Sequence, residues 1–155
     1  MIAAFEIRRD DLTGEQTRTL LALHLAGMQA HSPPDSVHAL DLSGLQTPQV
    51  TVWTAWAGER VAAVGALRRL PDSGGEVKSM RTHPDFLRRG AAAALLEHMI
   101  GEARRLGLSR LSLETGSGEA FEPALALYRK RGFHNGKAFG GYVPSAFNQF
   151  LHLAL

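Results

Sequence analysis

The segment of the chain with the clearest chemical potential runs from Glu76 to Leu96 and reads EVKSMRTHPDFLRRGAAAALL. It predicts a strand that ends near Pro84, a short loop, and a helix that begins with alanines after Gly90. The start of such a helix presents unpaired backbone N–H groups and the positive end of its dipole, which suits a phosphate or pyrophosphate. Two arginines in the loop would add guanidinium groups at the same place. The competing interpretation is an alanine-rich helix packed closely on a sheet, with both arginines in solvent.

A second segment, ALALYRKRGF, extends from Ala124 to Phe133 and predicts an amphipathic helix that ends before Gly132. Together, the two segments resemble the GNAT superfamily of acetyl-CoA-dependent N-acetyltransferases. The phosphate loop of that family reads Gln/Arg-x-x-Gly-x-Gly/Ala. Residues 87–92 supply LRRGAA, in which the glycine and the small residue match and Leu87 replaces the polar first residue. The second segment is similar to the family's Ala-x-x-Leu-Tyr-x-x-x-Gly-Phe helix, and the resemblance covers residues 76–133.

The resemblance implies which residues bind the coenzyme acetyl-CoA. The backbone of residues 80–82 would pair with the pantetheine arm like an added strand, and residues 88–93 would hold the pyrophosphate. The implied coenzyme contacts are Met80, Arg81, Thr82, Arg88, Arg89, Gly90, Ala91, Ala92 and Ala93. Phe121 stands where many family members place an asparagine that hydrogen-bonds the coenzyme, so that contact should be missing here.

The resemblance also implies a base and an acid for the transfer. A protonated amine cannot attack a thioester, so a carboxylate must first take its proton. Glu76 lies where some family members keep a glutamate as general base, and Glu114 is the reserve candidate at the end of the neighbouring strand. Tyr128 lies where the family protonates the leaving thiolate. The structural alternatives are a solvated glutamate at a strand end and a tyrosine that packs its ring.

Three residues could contact the substrate: His31, Glu114 and Tyr142. His31 opens a long stretch with little periodicity, and long loops in compact domains are often functional. Tyr142 precedes the last strand and could close over a substrate. Histidines stand at positions 24, 31 and 38, but the prolines at 33 and 34 break any helix that would join them, so no metal site is expected.

The elements that must position these residues follow from hydrophobic periodicity. A strand is predicted over residues 3–9, and a capping box of Thr13 and Gln16 opens a helix that stops before Pro33. The pattern continues in the order β α βββ α β α β, with one more strand near Phe139. Combined with the resemblance, this order indicates a mixed α/β fold of the GNAT acyl-CoA N-acyltransferase type. Its sheet would be mostly antiparallel, flanked by helices, with two central strands that splay where the coenzyme enters.

The composition of the chain excludes several classes of site and of binding partner. The 155 residues have the length of one domain, and the absence of cysteine excludes a disulfide framework, a thiolate zinc site and a cysteine nucleophile. A net charge of +2 is too small for the broad basic face that nucleic-acid binding needs. Since no apolar run reaches the roughly 18 residues of a membrane span, we expect a soluble, cytoplasmic protein without a membrane partner.

The expected activity is transfer of an acetyl group from acetyl-CoA to a primary amine by direct attack in a ternary complex, without a metal. The acceptor would be a small molecule or an amino acid. Two alternatives stay open: a non-catalytic acyl-CoA-binding or regulatory domain, and a protein-lysine acetyltransferase. The sequence does not decide whether the chain forms a homodimer.

Overall fold

The computed structural model describes residues 4–155, and at its centre lies an open sheet of seven strands flanked by helices. The strands are β1 (Glu6–Asp10), β2 (Val50–Ala57), β3 (Arg60–Arg69), β4 (Gly74–Thr82), β5 (Arg110–Thr115), β6 (His134–Asn135) and β7 (Gln149–Ala154). The helices are α1 (Glu15–His31), α2 (Leu42–Leu45), α3 (Ala91–Arg105) and α4 (Glu122–Lys130). Short 3-10 turns cover Pro34–Ser36, Pro84–Phe86 and Glu119–Phe121. The order across the sheet is β1-β2-β3-β4-β5-β7-β6.

The two strands in the middle of the sheet, β4 and β5, are parallel and pair over a short stretch. Their register joins Gly74, Gly75 and Glu76 to Arg110, Leu111 and Ser112. The other neighbouring strands are antiparallel. Because β5 pairs with β7 over its whole length, it follows β7 and leaves β4 beyond Glu76. The predicted mostly antiparallel, splayed sheet is confirmed.

A β-bulge interrupts β4 just beyond the last residue that pairs with β5. The register with β3 joins Val64 to Arg81 and Ala66 to Lys78. Ser79 and Met80 therefore stand opposite the single residue Gly65, and Ser79 has a φ of 57°, in the left-handed region. Successive side chains of a strand point to opposite faces, and the extra residue resets this alternation. As a result, Arg81 shares a face with Lys78 instead of pointing to the opposite one.

Two clusters of buried side chains hold the helices on the two faces of the sheet. The first gathers around α3 and α4 and contains Leu95, Leu96 and Met99. The second lies under α1 and α2 and contains Leu20 and Leu45. The apolar spacing along α3 thus buries the face that the sequence predicts. Among residues 4–155, no helix is long and apolar enough to cross a membrane.

The structure corrects two details of the sequence-based interpretation. The helix α1 begins after Gly14 without a side-chain cap, so the predicted capping box is wrong. Gln16 bridges to the β2–β3 hairpin instead: its amide nitrogen donates to the Glu59 carbonyl and its amide oxygen accepts from the Val61 N–H, both at 2.8 Å. The additional strand lies at His134–Asn135, directly after α4, and not near Phe139. Residue 3 of the predicted first strand lies outside the described residues.

The packing of α3 gives a stability prediction. Leu96 is 0% exposed, so Leu96→Ala should lower the free energy of unfolding by about 2–5 kcal/mol through lost burial and the cavity that remains. Urea denaturation with a constant m-value measures this loss. The matched control is Leu23→Ala in α1, where the side chain is 43% exposed and the change should stay within about 0.5 kcal/mol. Equal losses in the two variants would contradict the assignment of α3 to the core.

Candidate active site

A cavity of about 570 Å³ opens where β4 and β5 separate. Its walls come from the end of β4, the amino end of α3, the end of β5, the first turns of α4 and the last turns of α1. Among residues 4–155, the cavity is therefore lined by side chains and backbone groups of three separate regions of the chain: α1 with the segment after it, the β4–α3 segment and the β5–α4 segment. No group of three or more metal-ligating side chains occurs in the part of the chain that the structure describes.

The amino end of α3 forms one wall of this cavity. The first intrahelical bond runs from the Ala94 N–H to the Gly90 carbonyl, so the preceding N–H groups of the helix have no intrahelical partner. Arg88 and Gly90 adopt φ values of 62° and 88°, which turn the loop tightly into the helix. A Cβ on Gly90 would meet nothing within 4 Å, so open space lies in front of the helix end. This wall provides backbone donors and a positive dipole for a phosphate.

Most of the predicted coenzyme residues line the cavity. Those that do are Met80, Arg81, Thr82, Arg88, Gly90, Ala91, Ala92 and Ala93. Arg89 is not part of the lining, and its guanidinium lies 5.7 Å from the centre of the Phe86 ring. Beyond Glu76, the edge of β4 that faces the cavity has no partner strand among the described residues. An extended ligand can pair with such an edge.

The carboxylate of Glu76 is enclosed rather than solvated. The residue is 2% exposed, and its Oε2 accepts hydrogen bonds from the Tyr142 hydroxyl at 2.5 Å and from Lys78 Nζ at 3.2 Å. Lys78 Nζ also donates to the Tyr142 hydroxyl oxygen at 2.9 Å. Burial and the negative charge of Glu76 raise the pKa of Tyr142 above its ordinary value, so this hydroxyl stays protonated. The three residues form a mutually hydrogen-bonded cluster in which Glu76 and Lys78 are buried and Tyr142 is half-buried.

Glu114 lies across the gap from this cluster, at the end of β5. Its side chain is half-buried and lines the cavity. Burial raises the pKa of the Glu114 carboxyl to about 7, the charge of Glu76 adds to the rise, and Lys78 opposes it. This carboxyl can gain or lose a proton near neutral pH.

Tyr128 closes the cavity from the α4 side. The residue is buried, and its ring packs edge-to-face on Phe133 with 5.7 Å between ring centres. Burial raises the pKa of the Tyr128 hydroxyl, so the group keeps its proton at neutral pH. Phe121 lines the same region and packs edge-to-face on Phe147. The position therefore offers a protonated hydroxyl in an apolar surrounding.

The substrate candidates are divided between two adjoining cavities. His31 and Glu114 line the first, whereas Tyr142 lines a second cavity of about 520 Å³. The two cavities share His38, Glu76 and Lys78 as a common wall. Tyr142 also packs edge-to-face on His38, with 5.1 Å between ring centres.

Sequence reasoning missed three residues of the first cavity: His24, Lys78 and the side chain of Arg81. The alternation of Glu76 and Lys78, which places both charges on one face of the predicted strand, could have pointed to Lys78. The Arg81 side chain lies on the same face of β4 as Lys78 only because of the bulge in this strand. Arg81 Nε donates to His24 Nδ1 at 3.1 Å, so this histidine holds an arginine rather than a metal.

Comparison with known proteins bears on this geometry. The model of the Acetyltransferase (GNAT) family matches residues 11–133. An uncharacterized N-acetyltransferase of Escherichia coli strain K12, YedL, is 46% identical over 151 residues, which cover 97% of this chain and 95% of that protein. A solved Klebsiella pneumoniae structure assigned as an acyl-CoA N-acyltransferase matches with a TM-score of 0.83 at 25% identity and 99% coverage of each chain. An acetyltransferase of Bacillus subtilis, solved in complex with CoA, shares the fold with a TM-score of 0.73 at 21% identity, covering 98% and 99%.

The amino end of α3 gives a binding prediction. Acetyl-CoA should raise the Tm of the protein, because a ligand bound by the native state alone stabilises it by mass action. Gly90→Val should abolish this shift, since the new side chain would fill the open space in front of the helix. Differential scanning fluorimetry with and without acetyl-CoA measures both effects.

The matched control is Gly107→Val at the other end of α3. Gly107 also has a positive φ, 75°, and its Cβ would also meet nothing within 4 Å. Both variants therefore carry similar backbone strain, and Gly107→Val should keep the ligand shift. An unmoved Tm of the unmodified protein at millimolar acetyl-CoA would contradict the assignment.

Proposed function

Because this chain belongs to the Acetyltransferase (GNAT) family and is an acetyl-transferring acyltransferase, we propose that it transfers the acetyl group of acetyl-CoA to a primary amine of a small molecule or amino acid. The amine attacks the thioester directly while both reactants are bound. The observation that carries the proposal is one cavity that combines the amino end of α3 with Glu76, Glu114 and Tyr128. The cavity thus joins an anion-binding wall to two carboxylates and a protonated hydroxyl.

The coenzyme lies along the gap between the central strands. Its pyrophosphate binds the free N–H groups at the start of α3, with Arg88 beside them. Its pantetheine arm pairs with the open edge of β4 at residues 80–82, which leads the thioester toward the end of the gap where Glu76 and Glu114 lie. Backbone N–H groups of this edge polarise the thioester carbonyl and stabilise the oxyanion that forms during attack.

The amine needs a base before it can attack. A general base is most effective when its pKa lies near the working pH. Glu114, with a pKa of about 7, meets this condition. Glu76, which the sequence alone indicates as the base, is held by Lys78 and Tyr142 and contributes the negative charge that keeps the pKa of Glu114 high. We therefore assign Glu114 as the proton acceptor and Glu76 as its positioning partner.

The reaction ends with departure of the coenzyme thiolate. The amine nitrogen bonds to the carbonyl carbon, the oxyanion collapses, and the carbon–sulfur bond breaks. Tyr128 gives its proton to the thiolate and recovers one from the acetylated nitrogen through solvent, so the products are the N-acetyl amine and CoA with a free thiol. Burial raises the pKa of Tyr128, so its hydroxyl carries a proton at neutral pH.

The surroundings of the cavity favour a small acceptor over a protein lysine. The segment after α1 contributes His38, and Tyr142 is tied to the β4 cluster by hydrogen bonds to Glu76 and Lys78. These contacts narrow the approach to the two carboxylates. A small amine fits such an enclosed site, whereas a lysine on a folded protein needs an open groove.

The assignment of the base predicts a pH profile. With an acceptor amine whose own pKa lies well above that of Glu114, kcat/KM should rise as the pH increases through about 7 and then level off. Glu114→Gln should remove this step and lower kcat by about 10²–10⁴-fold. Glu76→Gln should keep the step but move it to lower pH, because the charge that raises the pKa of Glu114 is gone.

The same two variants show which of the two carboxylates is the general base. If Glu76→Gln removes the step and Glu114→Gln keeps it, then Glu76 is the base. Acetyl-CoA affinity, measured by titration calorimetry, should remain close to that of the unmodified protein in both variants, which separates a lost base from a lost coenzyme site.

Tyr128 gives an independent prediction. Tyr128→Phe keeps the ring and its packing on Phe133 but removes the proton donor. Acetyl-CoA binding should survive, while pre-steady-state acetyl transfer should slow by about 10²-fold or more. Equal transfer rates in both proteins would make Tyr128 a packing residue. Absence of transfer in both proteins over a broad panel of amines would favour a non-catalytic acyl-CoA-binding domain.

A further inference from the structure

Arg81 is a half-buried cation without an acidic partner in the described part of the chain. The bulge at Ser79 and Met80 turns its side chain toward α1 and into the first cavity. Seven ion pairs occur among residues 4–155, and none of them includes Arg81. Burial lowers the pKa of the Arg81 guanidinium, which reflects the cost of placing this charge away from water. An anionic ligand would offset that cost.

Helix α1 is shaped to hold this guanidinium. Arg81 Nε donates to His24 Nδ1 at 3.1 Å, and Nη2 lies 3.5 Å from the His24 carbonyl oxygen. Burial and the nearby charges of Arg81 and Lys78 lower the pKa of His24 to about 4, so the ring is neutral and its Nδ1 accepts. One turn along the helix, a Cβ on Gly27 would lie 2.8 Å from Arg81 Nη2. Because residue 27 is a glycine, no side chain occupies the space that the guanidinium fills.

The charged groups of the cavity on β4 and β5, other than Arg81, already face partners, and Arg88 lies apart from them at the amino end of α3. On β4, Glu76 and Lys78 are paired with each other and with Tyr142. On β5, Glu114 faces Lys78 and Glu76. The remaining titratable groups on this side are the imidazoles of His24, His31 and His38. Apart from Arg88 at the amino end of α3, which the proposed function gives to the coenzyme pyrophosphate, Arg81 is the cation that the described cavity residues leave without a counterion.

We propose that the acceptor is an amine that also carries a carboxylate, as an amino acid does, and that Arg81 binds this carboxylate. The proposal deepens the proposed function and rests on it. His24 accepts from Nε and, through its carbonyl oxygen, from one N–H of Nη2, which leaves Nη1 and the second N–H of Nη2 to donate to the two oxygens of a carboxylate. The amino group of the same molecule then extends toward Glu114, which lines the same cavity. The substrate is held at both ends, by a cation and by a carboxyl group.

Matched acceptors test this assignment directly. Each pair consists of an amino acid and the amine that lacks its carboxylate, such as leucine with isopentylamine and phenylalanine with phenethylamine. The unmodified protein should favour the amino acid in kcat/KM by roughly 10–10²-fold, the range of a charge-assisted hydrogen-bond pair. Arg81→Gln should bring this ratio close to one, mainly by raising KM for the amino acid. Arg81→Lys should restore part of it, since the charge returns without the planar fork.

Two further variants separate recognition from general damage. Arg69→Gln removes an exposed arginine of β3 that lines neither cavity, and it should keep the ratio. Gly27→Ala should displace the guanidinium and lower the ratio, while the Tm stays the same or rises, because alanine favours a helix interior. Gly101→Ala in α3, where the Cβ meets nothing within 4 Å, should raise the Tm without changing the ratio.

The outcomes distinguish this proposal from the proposed function. Equal kcat/KM values for the simple amines and the amino acids would overturn the role of Arg81, and so would an unchanged preference in Arg81→Gln. In either case the acetyltransferase function stands. If no primary amine is acetylated, the proposed function fails. Binding of an amino acid then tests whether Arg81 forms a carboxylate site. An amino acid added with CoA should then raise the Tm of the unmodified protein but not that of Arg81→Gln. Equal shifts, or none, would overturn the carboxylate site.

Discussion

The short pairing between β4 and β5 is the constraint on which the rest of the molecule depends. The strands are hydrogen-bonded over three residues of each, and β5 then follows β7 for its full length. Backbone N–H and C=O groups inside a protein need partners, so the open edge of β4 must be satisfied by water or by an extended ligand. The same separation uncovers the amino end of α3 and brings Glu114 to face Glu76 across the gap. The proposed coenzyme site and the proposed reaction site therefore share one structural origin.

The cluster of Glu76, Lys78 and Tyr142 gives this gap its second wall. A buried ion pair is costly to desolvate, and it is tolerated when further hydrogen bonds satisfy its members. Here, the Tyr142 hydroxyl donates to the carboxylate and accepts from the ammonium group. These bonds tie the segment between β6 and β7 to the middle of β4. The cluster therefore separates the two cavities and sets the electrostatic surroundings of Glu114.

The features that the sequence predicts well depend on local backbone chemistry. The apolar spacing of α3, the glycine before it and the strand before the loop fix a helix end, and the structure has that helix at Ala91–Arg105. The order of strands and helices follows from periodicity in the same way. The capping box at Thr13 and Gln16 was predicted from equally local rules, yet the Gln16 amide contacts the β2–β3 hairpin instead. A local capping rule fails when the side chain can instead hydrogen-bond to a backbone group that is distant in sequence.

The sequence by itself determined the fold class, the position of the helix start after Gly90 and the residue types available for chemistry, because these follow from neighbours in the chain. The tertiary structure alone decided which residues lie together and in what surroundings. One extra residue in β4 places Arg81 against His24 and Gly27, and burial opposite Glu76 raises the pKa of Glu114. Burial, strand register and the distance between charges arise from packing between segments far apart in sequence. No spacing along the chain encodes them.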